Sequence, residues 1–129
     1  MASPVIAVVD DDEAYLNLMD DLLTGEGYQT VLLTEGDRAY HAIRKEMPHL
    51  VIMDIRLEHP EAGWAVLESL RLDPGIRDTP VIICSADAQF LQAKAHLLRE
   101  TGCDILEKPF NLEDLLARVQ AAIGSPSTN

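Results

Sequence analysis

The sequence predicts an α/β domain built on a five-stranded parallel sheet. Three observations carry that prediction. Short apolar runs recur along the chain, and each is followed by a segment whose apolar residues repeat at helical spacing. The runs Val5–Val9, Leu50–Met53 and Val81–Cys84 are continuously apolar rather than alternating, a pattern that calls for cover on both faces of a sheet. Several runs also stop abruptly in chemically capable side chains: Asp10-Asp11-Asp12 after the first, Asp54 at the end of the third, Ser85 after Cys84, and Lys108 just past the last. Repeated strand–helix units force right-handed crossovers. The carboxyl ends of the strands then share one edge, where open α/β sheets bind their ligands.

Taken in order, residues 4–10 form the first buried strand, and Asp12 or Asp11 caps the helix that follows. That helix carries Tyr15, Leu16, Met19, Leu22 and Leu23 on its apolar stripe and stops near Gly25 and Gly27. Residues 28–33 make a second, less apolar strand, expected at an edge. Thr34 to Asp37 form a turn, and a helix runs from about Arg38 to Glu46, stopped by Pro48. The third strand, 49–54, is central. A loop over 55–60 leads to a helix from about Glu61 to Leu72, with Val66, Leu67 and Leu70 inward and Trp64 packing near its start. The fourth strand is 80–85. Its helix runs from about Ala88 to Glu100, with Leu91, Ala95 and Leu98 on one face, and Thr101-Gly102 breaks it. The fifth strand is 104–107. Asn111 caps the last helix with Asp114 three residues on, a capping-box-like pair. That helix sets Leu112, Leu115, Leu116, Val119 and Ile123 on one stripe, and a polar tail occupies 124–129.

The 129 residues suit one domain with a core at 4–123, without a linker or repeat. A net charge of −12 repels phosphate backbones and anionic lipid surfaces, so neither nucleic acid nor membrane is an expected partner. The N-terminus lacks a basic region, and its apolar run meets aspartate too soon for a signal peptide. A cytoplasmic location is expected. Cys84 closes one strand and Cys103 opens its neighbour, so both are expected as free thiols at opposite ends of the sheet. His41, His49, His59 and His96 show no metal-ligand spacing and are expected on the surface or in loops.

The chemistry gathers at the carboxyl edge. Asp10, Asp11 and Asp54 converging without a cation would repel one another. A hard divalent ion such as Mg²⁺ (or Mn²⁺) resolves this, since Mg²⁺ takes oxygen ligands and retains several waters. A carboxylate can accept a phosphoryl group as an acyl phosphate, and such transfer needs positioning and neutralisation of the equatorial oxygens. The cation can cover one oxygen, Lys108 a second, and the Ser85 hydroxyl with nearby N–H groups the third. Acidic residues after a strand often only cap the next helix. Four strand ends with complementary chemistry are much harder to obtain by accident. There is no Gly-rich nucleotide loop, so the edge reads as a receiver of phosphoryl groups from another molecule rather than an ATP site.

At this point residues 4–123 resemble the response regulator receiver domain, the CheY-like module of two-component signalling. The resemblance rests on Val8-Val9-Asp10-Asp11-Asp12, Val51-Ile52-Met53-Asp54, Ile83-Cys84-Ser85-Ala86 and Lys108-Pro109-Phe110. It implies a flavodoxin-like, doubly wound (βα)5 fold with strand order 2-1-3-4-5. It implies Asp54 as phospho-acceptor, with Mg²⁺ held by Asp10, Asp11, Asp54 and the backbone carbonyl of Arg56. Ser85 is then the switch hydroxyl, Lys108 the phosphoryl-contacting lysine, and the Lys108-Pro109 bond cis. Arg56 and Asp87 fall at positions that modulate hydrolysis, and an Arg56–Asp87 ion pair screening the attacking water is expected. The sequence also departs from the family pattern. Glu58 stands where proline is common, Pro60 is displaced, and Gly63 follows the acceptor by nine residues instead of eight, so the loop after Asp54 is expected to be one residue longer. The aromatic switch position holds Ile105, which implies a muted switch or one that uses another side chain.

The resemblance implies a stand-alone phosphoprotein of a two-component system or phosphorelay. A histidine kinase or histidine phosphotransfer domain donates to Asp54, and the face made by the fourth helix, fifth strand and fifth helix changes its affinity for a downstream protein. A monomer or weak dimer is expected, and no enzyme beyond self-phosphorylation and dephosphorylation. Two alternatives compete. One is a small phosphatase of the haloacid dehalogenase type, for which Asp10 and Asp12 supply D-x-D but Ala14 stands where Thr or Val is expected. The other is a pseudo-receiver that binds partners without phosphorylation.

Overall fold

A computed structural model describes residues 3–55, 57 and 61–124. Five strands alternate with five helices: β1 (Val5–Val9), α1 (Glu13–Gly25), β2 (Gln29–Leu33), α2 (Gly36–Glu46), β3 (Leu50–Asp54), α3 (Ala62–Leu72), β4 (Val81–Ser85), α4 (Ala88–Glu100), β5 (Cys103–Glu107) and α5 (Leu112–Ile123). All strand pairs are parallel, in the order β2-β1-β3-β4-β5. β2 is an edge strand, as its weaker apolar pattern predicts.

The continuous apolar runs are explained by two cores. Ala7, Val9, Val51, Met53, Val81 and Ile83 point to one face and pack against α2, α3 and α4 through Ile43, Leu67, Leu70 and Leu98. Ile6, Val8, Leu50, Ile52, Ile82 and Cys84 point to the other and pack against α1 and α5 through Leu16, Met19, Leu23, Leu115 and Val119. Successive strand residues alternate between the two faces, and both faces are dry. β1, β3 and β4 therefore cannot tolerate the polar alternation of a half-solvated sheet.

Two caps, at Asp12 and Asn111, follow the sequence, and the structure adds a third at Asp87. Asp12 accepts a hydrogen bond from the Tyr15 N–H (3.2 Å), Asp87 from Phe90 (2.9 Å) and Asn111 from Asp114 (2.8 Å). The second helix differs from expectation. It opens at Gly36, inside the predicted turn, with Glu35 at the N-cap making no side-chain cap. The predicted turn residues Gly36 and Asp37 tolerate the first helical turn, where four N–H groups lack intrahelical partners in any case. α2 ends on Met47 in the left-handed conformation (φ 50°).

Outside the two cores, Asp73 is buried after α3. It accepts hydrogen bonds from the Tyr40 hydroxyl (2.7 Å), the Gly75 N–H (2.9 Å) and the Arg44 guanidinium, tying α2 to the α3–β4 connection. His49, exposed as expected, accepts the Val5 N–H through Nδ1 (3.0 Å). Cys84 and Cys103 are both free and buried; Cys103 pairs in register with Val81, three residues before Cys84, so the two thiols are kept apart. Among the described residues, no helix is long and apolar enough to cross a membrane.

Candidate functional site at the carboxyl edge

β1 pairs with β2 on one side and with β3 on the other, so the chain reverses its winding direction between β1 and β3. Helices diverge to opposite faces there and leave a crevice. Val9 is in register with Met53, which sets Asp10 and Asp54 side by side at the mouth of that crevice. The next pairings bring in the other strand ends. Asp54 is in register with Cys84, and Ser85 with Glu107. The Lys108 N–H donates to the Ser85 carbonyl (2.8 Å), pinning the lysine backbone to the end of β4.

The Lys108 ammonium closes the site. It donates to Asp10 Oδ2 (2.6 Å) and to Asp54 Oδ2 (2.9 Å). Only 2% of the Asp10 side chain, 14% of Asp54 and 17% of Lys108 is exposed, so these charges interact in a poorly screened setting. Burial works against the charge on Lys108. Its hydrogen bonds to Asp10 and Asp54, and their negative charge, outweigh that effect and raise its pKa above the usual lysine value. The ammonium is therefore permanently charged at neutral pH and serves as a fixed counter-ion.

Asp10 also orders the acidic turn, because its Oδ1 accepts the Asp12 N–H (2.9 Å). Asp11 is exposed beside it. The Asp12 side chain is engaged in capping α1, so of the D-x-D pair only Asp10 faces Lys108 and Asp54. Ser85 is 2% exposed, and its Oγ accepts the Asp87 N–H (3.0 Å). The Lys108–Pro109 peptide bond is cis. Ile105 is half-buried and packs against the core beneath α4. Arg56, Glu58, His59 and Pro60 lie outside the described residues, and with them the expected carbonyl ligand, the expected Arg56–Asp87 pair and most of the lengthened loop. The tail at 125–129 lies outside them too.

Whether a divalent cation fits is decided by the donor set. Two carboxylates already share one cation here, which is the chemistry Mg²⁺ selects; it needs few protein oxygens because it keeps several waters. Among the described residues no three His, Cys, Asp or Glu side chains converge on one point. Asp10 and Asp54 are thus the gathered pair, and the neighbouring Asp11 is exposed.

Two residues at this edge escaped the sequence reading. Tyr15, read only as a core position of α1, lays its ring against the Lys108 ammonium, 3.9 Å from Nζ to the ring centroid. Phe110 meets that ring edge-on at 6.4 Å. Cys84, read only as a strand residue, faces the same space. Burial, opposed by Lys108 and reinforced by Asp54, pushes its thiol pKa up to about 12, so it is an inert thiol. Periodicity could identify Tyr15 as inward-facing, but it carries no signal of a partner on a distant strand.

Comparison with known proteins agrees with this arrangement. The family model of the response regulator receiver domain matches residues 6–120. The polar-differentiation response regulator DivK of Brucella anthropi is 30% identical over 121 residues, covering 92% of this chain and 95% of that protein. The DNA-binding response regulator MtrA of Mycobacterium tuberculosis is 34% identical over 119 residues, covering 92% of this chain. This chain spans about half the length of MtrA, 50%. Among solved structures, the receiver domain of the Pseudomonas aeruginosa sensor histidine kinase PA1611, with a magnesium ion coordinated in its active-site cleft, superposes with a TM-score of 0.81 at 27% identity, covering 96% of this chain and 100% of that one. The paired carboxylates, the lysine that bridges them, the 2-1-3-4-5 sheet and these relatives lead to one conclusion: the chain belongs to the response regulator receiver domain family.

Proposed function

We propose that Asp54 is the phospho-acceptor of this receiver domain and that a phosphohistidine on a histidine kinase or phosphotransfer domain is its donor. The observation that carries this is the Lys108 ammonium shared between Asp10 and Asp54 at the carboxyl edge. In the transfer, an Asp54 carboxylate oxygen forms a bond to phosphorus. The phosphorus–nitrogen bond of the donor breaks, and its electron pair leaves with the imidazole nitrogen. Lys108, already within hydrogen-bond reach of Asp54, moves with the charge onto a phosphoryl oxygen. Ser85 exchanges its bond to the Asp87 N–H for a donated bond to a second oxygen. Asp10 and Asp54, with Asp11 and the Arg56 carbonyl, would hold Mg²⁺, which supplies positive charge to the remaining oxygen. Arg56 and Asp87 modulate the return reaction with water. Turnover is confined to the domain's own phosphorylation and dephosphorylation.

The new charge, about −1.5 to −2 at neutral pH on ordinary phosphoresidues, biases the α4–β5–α5 face between two states. A groove on that face supports this reading. Leu91, Ala95 and Ile105 form its floor, with Arg99, Glu107 and Arg118 at its rim. A downstream protein is the proposed reader. The net charge of −12 opposes direct DNA contact by this chain. One such unit accounts for residues 4–123.

The test is incubation with Mg²⁺ and acetyl phosphate, followed by intact mass. A single phosphoryl adduct that disappears in Asp54→Asn is expected. An adduct that persists in Asp54→Asn, or none on the wild type, rejects the assignment.

A further inference from the structure

We propose that Tyr15 is a positioning residue for phosphoryl transfer: its ring face holds the Lys108 ammonium between Asp10 and Asp54. This rests on Asp54 being the acceptor. An ammonium has three donors and no acceptor. Two directions are taken by Asp10 Oδ2 and Asp54 Oδ2, at 2.6 and 2.9 Å. The third side of the cation meets the π face of Tyr15, 3.9 Å from the centroid and well inside the range of a cation–π attraction. Lysine has four rotatable bonds and a strong tendency to swing into water. Here it is enclosed by two carboxylates and a ring.

The ring is itself held in place. The Tyr15 N–H donates to Asp12 Oδ1 (3.2 Å), and the Asp12 N–H donates to Asp10 Oδ1 (2.9 Å). Asp10, Asp12, Tyr15 and Lys108 therefore form a closed circuit, in which the helix cap sets the ring and the ring sets the lysine. Phe110, two residues beyond Lys108, buttresses the ring edge-on. The Tyr15 hydroxyl is buried beside the Cys84 thiol without a hydrogen bond of ordinary geometry. It is the aromatic face, not the hydroxyl, that meets the Lys108 ammonium. A residue that merely filled the core between α1 and α5 could equally be leucine or methionine.

That difference gives the test. Asp54 labelling by acetyl phosphate at saturating Mg²⁺ is timed by intact mass in the wild type, Tyr15→Leu, Tyr15→Met and Tyr15→Phe, with thermal melts alongside. The aliphatic variants are expected to label about fivefold to tenfold more slowly, the factor that loss of a partly desolvated cation–π contact predicts. Tyr15→Phe is expected to recover most of that loss. In a Lys108→Met background, Tyr15→Leu is expected to cause no further slowing, since the ring acts through the lysine. The inference is overturned if folded Tyr15→Leu or Tyr15→Met labels at the wild-type rate, if Tyr15→Phe is as slow as they are, or if the loss is undiminished without Lys108. Should the wild type itself fail to label, the acceptor assignment falls, and this inference with it; labelled wild type with unchanged aliphatic variants rejects the inference alone.

Discussion

Gly63→Ala offers a prediction whose sign separates packing from helix propensity. Gly63 lies in the first turn of α3, nine residues after Asp54. A Cβ built there would stand 2.6 Å from both the carbonyl carbon and the Cα of Ile55, with the Ile55 carbonyl oxygen nearer still. Ordinary carbon–carbon contact is about 3.5–4.0 Å, so α3 and the chain after Asp54 must separate by about 1 Å. The obstacle is backbone, which cannot rotate away as a side chain would. Overpacking of this kind costs about 1–3 kcal/mol, and backbone resistance puts this case at the upper end. Gly→Ala inside a helix returns up to about 1 kcal/mol. The net expectation is a loss of about 1–2 kcal/mol, or a melting temperature lower by about 4–8 °C at this size. The assay is urea unfolding followed by circular dichroism, paired with a thermal melt. Propensity alone predicts the opposite sign. A variant as stable as wild type, or more stable, would refute the close approach. The displacement should also slow Asp54 labelling, because Ile55 follows the acceptor directly and its N–H donates to the Cys84 carbonyl (3.2 Å).

Three further perturbations test other parts of the structure. Lys108→Met leaves Asp10 and Asp54 facing each other without their counter-ion. A drop of about 1–3 kcal/mol at pH 7 in a metal-free urea titration is expected, below the full cost of breaking a buried pair because the site is partly exposed; a stability gain would contradict it. Asp73 has its pKa held below the usual carboxylate value, first by the Tyr40 hydroxyl, then by the Gly75 N–H, and further by Arg44. Its ionised form therefore stabilises the fold fully above about pH 4, the unfolded value, and that contribution is lost as pH falls through the lower folded value. Asp73→Asn should melt below wild type at pH 7, with the gap closing on acidification below pH 4; a gap that is constant with pH would count against the network. Met47→Gly relieves a left-handed backbone (φ 50°) on a side chain that is 56% exposed. It should raise the urea midpoint by the equivalent of about 0.5–1 kcal/mol, and a lowered midpoint would show that packing of Met47 matters more.

Most of the architecture was legible in local pattern. Unbroken apolar runs such as Val5–Val9 and Leu50–Met53 demand a sheet covered on both faces, and the intervening helical stripes supply the cover. Caps at Asp12 and Asn111 obey short-range rules, so their positions need no tertiary knowledge. Asp10, Asp54, Ser85 and Lys108 were legible as candidates because each terminates or follows a strand, and parallel strands must bring those ends together.

What only the tertiary structure decided is which of these groups touch. Strand register sets Asp10 beside Asp54, and the Lys108 backbone bond to Ser85 aims the ammonium at both carboxylates while Asp11 stays exposed. Tyr15 shows the boundary most clearly. Its helical spacing marks it as inward-facing, and nothing in its neighbours along the chain distinguishes core filling from contact with a cation. Spacing encodes the face on which a side chain lies. The partner across that face comes from a strand end far along the chain, and no local pattern carries that information. The same holds for Gly63, whose role is defined by the backbone of Ile55, and for Asp73, whose partners Tyr40 and Arg44 belong to another helix.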